Sequence, residues 1–489
     1  MMKCKSILIL TLLPFFSLRA DWPPIPRRIP PPGIEISEDA RQQLQDTLNR
    51  LARNPNSTMP EVEIFLKAVR FALLHGEFYK KNDTEIAQSL LKEAEARMTD
   101  PKRSWTEARG LVVRGYRSSV DGSAQPYGLE IPDQLDQPTP LYVWLHGRGD
   151  KVTDLHFIHQ RMNRPGKFKI DDAIVLHPFG RQCMGFKSAG EIDVLEAIED
   201  VKAHYHIDPR RIVLMGFSMG GAGCWHIGAH YTDRFVAMSP GAGFSETRRY
   251  IRLKEEDYPP VWEQTLWRMY DVPNYTRNLL NLPVVAYSGE KDKQIQAARV
   301  MEGAYAEHGK TLNHVIGPDM GHKYDSASME QILATMKTAV ENGLNPLPHE
   351  VSFQTRTLRY NRLHWVEVLG LKEHWEDARI DARVDDEGVL HVDTENISRF
   401  RLNDLPKLKA TSIKLNQGNP IPAGRSFIYE LGGAKKKLNK EPGLQGPIDD
   451  AFLSSFIVVP PDRSSPHPTI QKWVDFELDH YKERWRTLF

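Results

Sequence analysis

The sequence is poor in cysteine, in net charge and in long apolar stretches, and each shortage excludes a class of protein. Three cysteines in 489 residues exclude a disulfide scaffold and any multi-cysteine zinc or iron–sulfur array. The 64 basic residues balance the 64 acidic ones, which argues against a nucleic-acid partner bound by phosphate neutralisation. After residue 20 no stretch is apolar enough to span a bilayer, so we expect no stable membrane insertion. Hydrophobic residues still make up 40%, enough for a sizeable core.

The first twenty residues have the pattern of a secretory signal peptide. Lys3 and Lys5 precede an apolar run over residues 7–16, and the small residue Ala20 ends the pattern. An uncleaved membrane anchor is the alternative, although the run is short for a bilayer. We therefore predict a signal peptide over residues 1–20 and a secreted or periplasmic protein.

Cleavage at that point would leave two cysteines, Cys183 and Cys224. They could pair in an oxidising compartment, but their spacing gives no sign of a disulfide. Two separate buried thiols are the expected arrangement.

The chain before the central region divides into two parts. Residues 21–36 contain six prolines, which predicts an extended linker because proline fits neither a helix interior nor a central strand. Residues 37–105 show three helical patterns, the first with Leu44, Leu48 and Leu51 on one face. Nothing in this region suggests chemistry, so we expect a helical scaffold.

From about residue 106 to 345 the pattern changes to short β-type runs that alternate with helical ones. Most of these runs are continuously apolar, as strands buried on both faces are, and this alternation predicts an α/β domain with a mainly parallel sheet. The turn pair Asp121-Gly122 predicts an antiparallel hairpin at its start. The predicted strands are 111–116, 127–131, 141–145, 173–176, 211–215, 235–238, 282–287 and 312–316.

After this domain the sequence predicts a β-rich accessory domain over residues 346–460 and a terminal helix over residues 461–489. Alternating runs on both sides of residues 386–388 indicate a hairpin. Trp365 and Trp375 could stack on sugars in a glycan-binding module, but packing in a core is the favoured role.

One motif gives the strongest indication of chemistry. A buried strand leads directly into Gly216-Phe-Ser218-Met219-Gly220, followed by Gly221 and a helix rich in small residues. This is a G-x-S-x-G nucleophile elbow in its strand–turn–helix context, which predicts Ser218 as the nucleophile. The glycines let the strand and helix backbones approach each other closely. The Met219 N–H, at the helix N-terminus, is a candidate oxyanion donor.

A second loop follows the predicted strand 141–145. Its residues His146, Gly147, Arg148 and Gly149 occupy the position that supplies the other oxyanion donor in such folds. The backbone N–H of Arg148 or of Gly149 is the candidate, and His146 is expected to be structural.

The base and its carboxylate partner should follow the last two strands of the domain. A serine needs a histidine to accept its proton, and the histidine needs a carboxylate to fix its tautomer. Asp292 and His322 each follow a predicted strand, in the order serine, acid, histidine. Glu290 is the alternative acid. Because the carboxyl ends of parallel strands meet at one sheet edge, we expect these groups to converge.

No metal or cofactor is predicted. His156 and His159 have the spacing of ligands on one helix face, but no carboxylate or cysteine in the sequence completes a set with them.

Taken together, these stretches resemble a known superfamily. The segments 191–202, 207–212 and 216–221 resemble the α/β-hydrolases, and most closely the catalytic domain of the prolyl oligopeptidase family. They are also similar to secreted bacterial feruloyl esterases and polyester depolymerase-like enzymes. The resemblance covers residues 105–345.

The resemblance implies an α/β-hydrolase fold and a triad of Ser218, Asp292 and His322. The chain departs from a prolyl oligopeptidase in lacking the N-terminal β-propeller that filters substrates by size, since residues 37–105 are short and helical. We therefore predict an exported serine hydrolase that acts on small-molecule, oligosaccharide or peptide substrates, with acyl esters of polysaccharides favoured. A peptidase acting on short peptides and a glycan-binding protein with an accessory hydrolase domain are the alternatives.

Overall fold

The structure is a computed structural model, and it describes residues 29–430 and 439–488. The predicted signal peptide, the first half of the proline-rich linker and the lysine run at 435–437 lie outside these residues. Within the described part, no helix is long and apolar enough to cross a membrane.

The three helical patterns before the central domain form three helices. Ser37 caps the first, where its hydroxyl accepts a hydrogen bond from the Ala40 N–H, and Pro60 begins the second. The second helix is buried along most of its length and packs on the first two strands of the central sheet. The helices are α1 (Glu38–Leu51), α2 (Pro60–His75) and α3 (Asp83–Thr99).

The central domain contains an eight-stranded sheet, whose strands follow one another in the order β1-β2-β4-β3-β5-β6-β7-β8. The strands are β1 (Gly110–Arg117), β2 (Ala124–Ile131), β3 (Thr139–Leu145), β4 (Ile174–Pro178), β5 (Ile207–Phe217), β6 (Ala237–Gly241), β7 (Val285–Gly289) and β8 (Asn313–Gly317). The predicted antiparallel hairpin is present as β1 and β2, and β2 is also antiparallel to β4. All other neighbours are parallel, as the continuously apolar runs predict.

Two strands begin later than the sequence suggests. The predicted runs 235–238 and 282–287 correspond to β6 and β7, which start at Ala237 and Val285. Pro283 has no N–H to donate, so regular pairing of β7 can begin only after it. Both strands continue to glycines at the sheet edge where the candidate catalytic loops lie.

Helices cover both faces of this sheet, and a separate hydrophobic core lies on each face. The helices are α4 (Asp154–Asn163), α5 (Ala189–His204), α6 (Met219–His230), α7 (Thr247–Tyr250), α8 (Val261–Trp267), α9 (Thr276–Leu279), α10 (Ile295–Ala306) and α11 (Ser326–Asn342). The domain is thus a three-layer α/β arrangement.

The C-terminal region forms two further sheets around one core. Their strands are β9 (Glu350–Thr355), β10 (Arg362–Leu363), β11 (Val366–Leu371), β12 (Ala378–Val384), β13 (Val389–Glu395), β14 (Ile397–Leu402), β15 (Ser412–Leu415), β16 (Ile421–Pro422) and β17 (Phe427–Glu430), followed by the helix α12 (Pro468–Leu488). The predicted hairpin joins β12 and β13, with Gly388 at a φ of 78° in its turn.

Reciprocal hydrogen bonds join the β-rich region to the central domain. The Asn278 side chain donates to the Gln354 carbonyl oxygen at 3.0 Å and accepts from the Gln354 N–H at 2.8 Å. The Asn281 side chain makes the same pair of bonds with Ser352, at 2.8 and 3.1 Å. These contacts join β9 of the β-rich region to α9 and the segment that follows it.

Candidate active site

Ser218 lies on a sharp turn between β5 and α6. Its φ of 59° and ψ of −118° are unusual for a residue with a side chain, and strained backbone of this kind concentrates at functional sites. The Ser218 N–H donates to the Gly241 carbonyl oxygen at 2.8 Å, which ties the turn to the end of β6. The geometry is that of a nucleophile elbow.

Close backbone packing explains the glycines of this motif. A Cβ added to Gly216 would collide with the Gly220 carbonyl oxygen, and one added to Gly220 would collide with the Leu145 carbonyl oxygen. Gly221 packs equally closely against Gly241. The sequence therefore needs glycine at these positions for α6 to begin directly over the strand ends.

Gly220→Ala is expected to destabilise the protein by about 3 kcal/mol or more, because the new methyl group meets backbone that cannot move aside. Gly303→Ala in α10 is the matched control: Gly303 is exposed, and an added Cβ has no neighbour within 4 Å. That change should be neutral or stabilise by roughly 0.5–1 kcal/mol. Unfolding midpoints in urea measure both, and equal midpoints for the two variants would contradict the packing argument.

Asp292 and His322 follow β7 and β8 and form a hydrogen-bonded pair. The His322 Nδ1 lies 2.7 Å from the Asp292 Oδ2. The other oxygen of Asp292 accepts the Gln294 N–H at 2.9 Å, which fixes the carboxylate. Asp292 is buried, whereas the His322 side chain is 43% exposed. The arrangement leaves Nε2 as the ring nitrogen available to a serine or a substrate.

Aromatic packing positions the His322 loop beside the elbow. The ring of Phe217, the residue before Ser218, lies 4.8 Å from the imidazole of His322 and 4.8 Å from the ring of Tyr324. Tyr287 stacks on Tyr324 and donates its hydroxyl to the Lys323 carbonyl oxygen at 2.8 Å. Among the described residues Ser218 forms no side-chain hydrogen bond with His322. Such catalytic contacts are often long without substrate and tighten in the complex.

The other acids near this loop have different partners. Glu290 is exposed, and its carboxylate accepts the Asp319 N–H at 2.8 Å. Asp325 accepts the Ser328 N–H at 2.9 Å and caps α11. The geometry therefore brings Asp292, and not Glu290, to the histidine.

The loop after β3 lies against the elbow. A Cβ on Gly147 would lie 3.6 Å from both the Phe217 carbonyl oxygen and the Ser218 Cβ. Of the two candidate donor residues, Arg148 lines the cavity beside Ser218, which favours its N–H as the second oxyanion donor. The Arg148 side chain pairs with Asp150 at 2.5 Å.

His146 has a structural environment, as expected from the sequence. Its Nδ1 lies 2.9 Å from the Gly147 carbonyl oxygen and its Nε2 lies 2.9 Å from the Phe179 carbonyl oxygen. Burial lowers the pKa of His146, which favours the neutral ring.

A cavity of about 260 Å³ adjoins Ser218. Its lining includes Arg148 and Lys187 as basic groups, and no carboxylate lines it among the described residues. The Lys187 ammonium lies 5.2 Å from the ring centre of Phe244, and Phe244 stacks on Tyr250 at 4.4 Å. Burial lowers the pKa of Lys187. The cleft beside the nucleophile is thus cationic and aromatic.

Cys183 and Cys224 are free thiols, in keeping with the expected absence of a disulfide between them. Cys183 is half-buried at the cavity wall, and Cys224 is buried in α6. Burial raises the pKa of both thiols, which keeps them protonated and unreactive.

Several residues of the site were not predicted from the sequence. The cavity residues Lys187, Phe244 and Tyr250 lie on loops and short segments with no recognisable motif.

Among the described residues one group, Glu191, His226 and His230, could also hold a metal ion. The histidine spacing i, i+4 on α6 was a visible signal, but their carboxylate partner lies 35 residues earlier in the chain.

Comparison with known proteins identifies a related family. Residues 186–339 match the prolyl oligopeptidase family. The matched segment contains Ser218, Asp292 and His322 and excludes the β-rich region. The match confirms the resemblance stated from the sequence and, together with the observed sheet, the α/β-hydrolase fold. It also supports the prediction of a serine hydrolase.

The individual relatives that match this chain are distant. A bifunctional acetylxylan esterase/xylanase XynS20E from Neocallimastix patriciarum is 26% identical over 138 residues, which are 27% of this chain and 20% of that protein. An uncharacterized secreted protein from Arthroderma benhamiae is 22% identical over 39% of this chain and 22% of its own length. The chain thus spans about a fifth of the length of these relatives. An S-formylglutathione hydrolase from Agrobacterium tumefaciens is 16% identical, over 48% of this chain and 95% of that one, with a TM-score of 0.37.

Proposed function

We propose that this protein is a serine hydrolase in which Ser218, His322 and Asp292 act as a catalytic triad. The observation that carries the proposal is the Asp292–His322 hydrogen bond, formed at the same sheet edge as a serine on a strained elbow. No other described serine combines this backbone with a histidine–carboxylate pair at the neighbouring strand ends.

The geometry supports acyl transfer in two steps. The His322 Nε2 accepts the proton as the Ser218 oxygen attacks the substrate carbonyl, and Asp292 stabilises the imidazolium that forms. The N–H groups of Met219 and Arg148 are proposed to hold the oxyanion, since one starts α6 and the other belongs to the loop beside Ser218. His322 then protonates the leaving group, and water hydrolyses the acyl-enzyme by the same route.

We propose acyl esters of polysaccharides as the substrates. A peptidase that holds a peptide by its N-terminal ammonium needs a carboxylate at its cleft, and none lines this cavity among the described residues. The stacked rings of Phe244 and Tyr250 offer a flat apolar wall that suits an aromatic acyl group or a sugar face. A relative whose name includes acetylxylan esterase is in keeping with this class.

Export is part of the same proposal. The predicted signal peptide lies outside the described residues, and its support is the sequence pattern of residues 1–20. A relative described as a secreted protein agrees with it. Export would bring the enzyme to polymeric substrates outside the cytoplasm.

Peptidase activity is the second candidate, favoured by the family that residues 186–339 match.

The glycan-binding alternative has less support, because both tryptophans put forward for stacking on sugars are used in packing. Trp365 is 1% exposed and donates its Nε1–H to the Pro348 carbonyl oxygen at 2.9 Å. Trp375 packs against the core of the catalytic domain.

The substrate class is tested with natural compounds at matched concentration. Acetylated or feruloylated oligosaccharides are expected to be hydrolysed at least about tenfold faster than proline-containing peptides, because an alkoxide is a better leaving group than an amine and the cleft has no anchor for an ammonium. Released acids and peptides are quantified by chromatography, with Ser218→Ala as the blank. Cleavage after proline without release from the decorated sugars would transfer the assignment to the peptidase.

A further inference from the structure

Three buried side chains converge away from the triad, and we call them the Glu-His-His cluster: Glu191, His226 and His230. Glu191 lies in the first turn of α5, and the two histidines lie one turn apart on the same face of α6. Their exposed fractions are 0%, 2% and 4%. The Glu191 Oε2 is 3.0 Å from the His230 Nδ1 and 3.4 Å from the His226 Nδ1. One carboxylate oxygen thus faces two imidazole nitrogens inside the core.

Hydrogen bonds from neighbouring groups orient Glu191 and His226. The Glu191 Oε1 accepts the hydroxyl hydrogens of Tyr231 at 3.0 Å and of Tyr360 at 2.9 Å. The His226 Nε2 lies 3.2 Å from the Gly185 carbonyl oxygen. Glu191 and His226 thus have the pattern of oriented metal ligands, in which the distal ring nitrogen donates to a backbone carbonyl and the carboxylate is itself hydrogen-bonded, whereas the buried His230 Nε2 has no hydrogen-bond partner.

Assigning hydrogens to the ring nitrogens of His226 leaves its contact with Glu191 unexplained. The Gly185 carbonyl can only accept, so the His226 Nε2 carries the hydrogen of a neutral ring. The bare Nδ1 of His226 then faces the Glu191 Oε2, which is also an acceptor, and this Nδ1 is a buried atom with no hydrogen-bond partner. A cation between the two atoms would turn this repulsive contact into a favourable one.

We propose that the Glu-His-His cluster binds one divalent transition-metal ion, with zinc as the preferred ion. Two imidazole nitrogens and one carboxylate oxygen are ligands that suit zinc. Bonds of about 2.0–2.1 Å in a tetrahedron separate neighbouring ligand atoms by roughly 3.3–3.4 Å, close to the 3.0 and 3.4 Å found here. The three side chains would leave one coordination position for water.

The role of this site is structural and separate from the proposed hydrolysis. Ser218 immediately precedes α6 and His226 follows it by eight residues, which places His226 about 12 Å along the helix axis from the nucleophile. The ion would link α5 to α6, the helix that begins at the elbow. It would also engage the β-rich region, since Tyr360 bonds Glu191 and stacks on His230 with ring centres 3.5 Å apart.

Metal binding is tested on the full chain. The protein is dialysed against a chelator, zinc chloride is added in stoichiometric steps, and bound metal is measured by inductively coupled plasma mass spectrometry. We expect one equivalent per chain and a rise in Tm of roughly 3 °C or more at excess zinc. No retained zinc together with an unchanged Tm would overturn the proposal and leave a proton in the role of the cation.

Variants then locate the ion. Glu191→Gln and His226→Gln should each weaken zinc affinity about tenfold or more. His314→Gln is the matched control, because His314 pairs with a single carboxylate, Glu302, at 2.7 Å. Unchanged affinity in a folded cluster variant would overturn the assignment. Should the cluster variants fail to fold, X-ray absorption spectroscopy of the zinc-loaded wild-type chain decides, because a first shell without two imidazoles is incompatible with this site.

Discussion

Replacing Ser218 with alanine is expected to lower ester turnover by a factor on the order of 10³ or more while the chain stays folded. The change removes one oxygen and adds no bulk. Alanine meets the same positive φ as serine at this turn, so the strain of the elbow is not altered much. Rates with a p-nitrophenyl ester and labelling by a fluorophosphonate probe measure the effect, and both signals should be lost together.

Ser239→Ala is the matched control for this experiment. Ser239 lies on β6 and donates its buried hydroxyl to the Val285 carbonyl oxygen at 2.9 Å. Its loss should cost roughly 1 kcal/mol of stability and leave labelling intact. Retention of more than a tenth of wild-type turnover by Ser218→Ala would show that another group is the nucleophile.

The elbow and the Asp292–His322 pair could be predicted because they depend on a local motif and on the positions of strand ends. A strand that runs into G-x-S-x-G requires glycine wherever two backbones touch, and that requirement is visible at Gly216 and Gly220 without any structure. Asp292 and His322 could be paired because parallel strands bring their carboxyl ends to one edge. These inferences need only the fold class and the positions of strand ends.

The residues that line the cleft could not be predicted, because their contacts depend on the folded chain and not on a local motif. Lys187 and Phe244 are far apart in the sequence, and they meet at 5.2 Å only through the packing of separate loops. Neither has a periodic or spaced neighbour that marks it. The same holds for the contact between Asn278 and Gln354, which joins two regions of the chain.

The Glu-His-His cluster lies between these two cases. His226 and His230 have the i, i+4 spacing of helix ligands, a signal that the sequence contains. Their carboxylate, Glu191, comes from a different helix, and only the packing of α5 on α6 brings it within 3.0 Å. Two histidines with ligand spacing therefore do not by themselves predict a metal site, because the remaining ligand is known only from the fold. His156 illustrates the point, since the sequence offered it no partner, whereas Asp83 lies 3.0 Å from it in the structure.

Asp292→Asn is expected to lower turnover by several orders of magnitude without unfolding the protein. The carboxylate accepts from the His322 Nδ1–H at 2.7 Å, and this bond presents Nε2 as a base to the serine. An asparagine can donate to Nδ1 instead, which moves the ring hydrogen to Nε2 and removes the base. It also removes the negative charge that stabilises the imidazolium. Burst and steady-state rates with an activated ester measure the loss.

Glu290→Gln is the matched control, since Glu290 lies two residues earlier and changes in the same way. Its carboxylate is exposed and accepts the Asp319 N–H at 2.8 Å, an interaction that the amide oxygen of glutamine can keep. Turnover should therefore stay within about threefold of the wild type, because a bond to an exposed carboxylate contributes little. The reverse ranking of the two variants would make Glu290 the acid of the triad. It would also require the loop after β7 to rearrange, since in the described part of the chain the carboxylate that forms a hydrogen bond with His322 is that of Asp292.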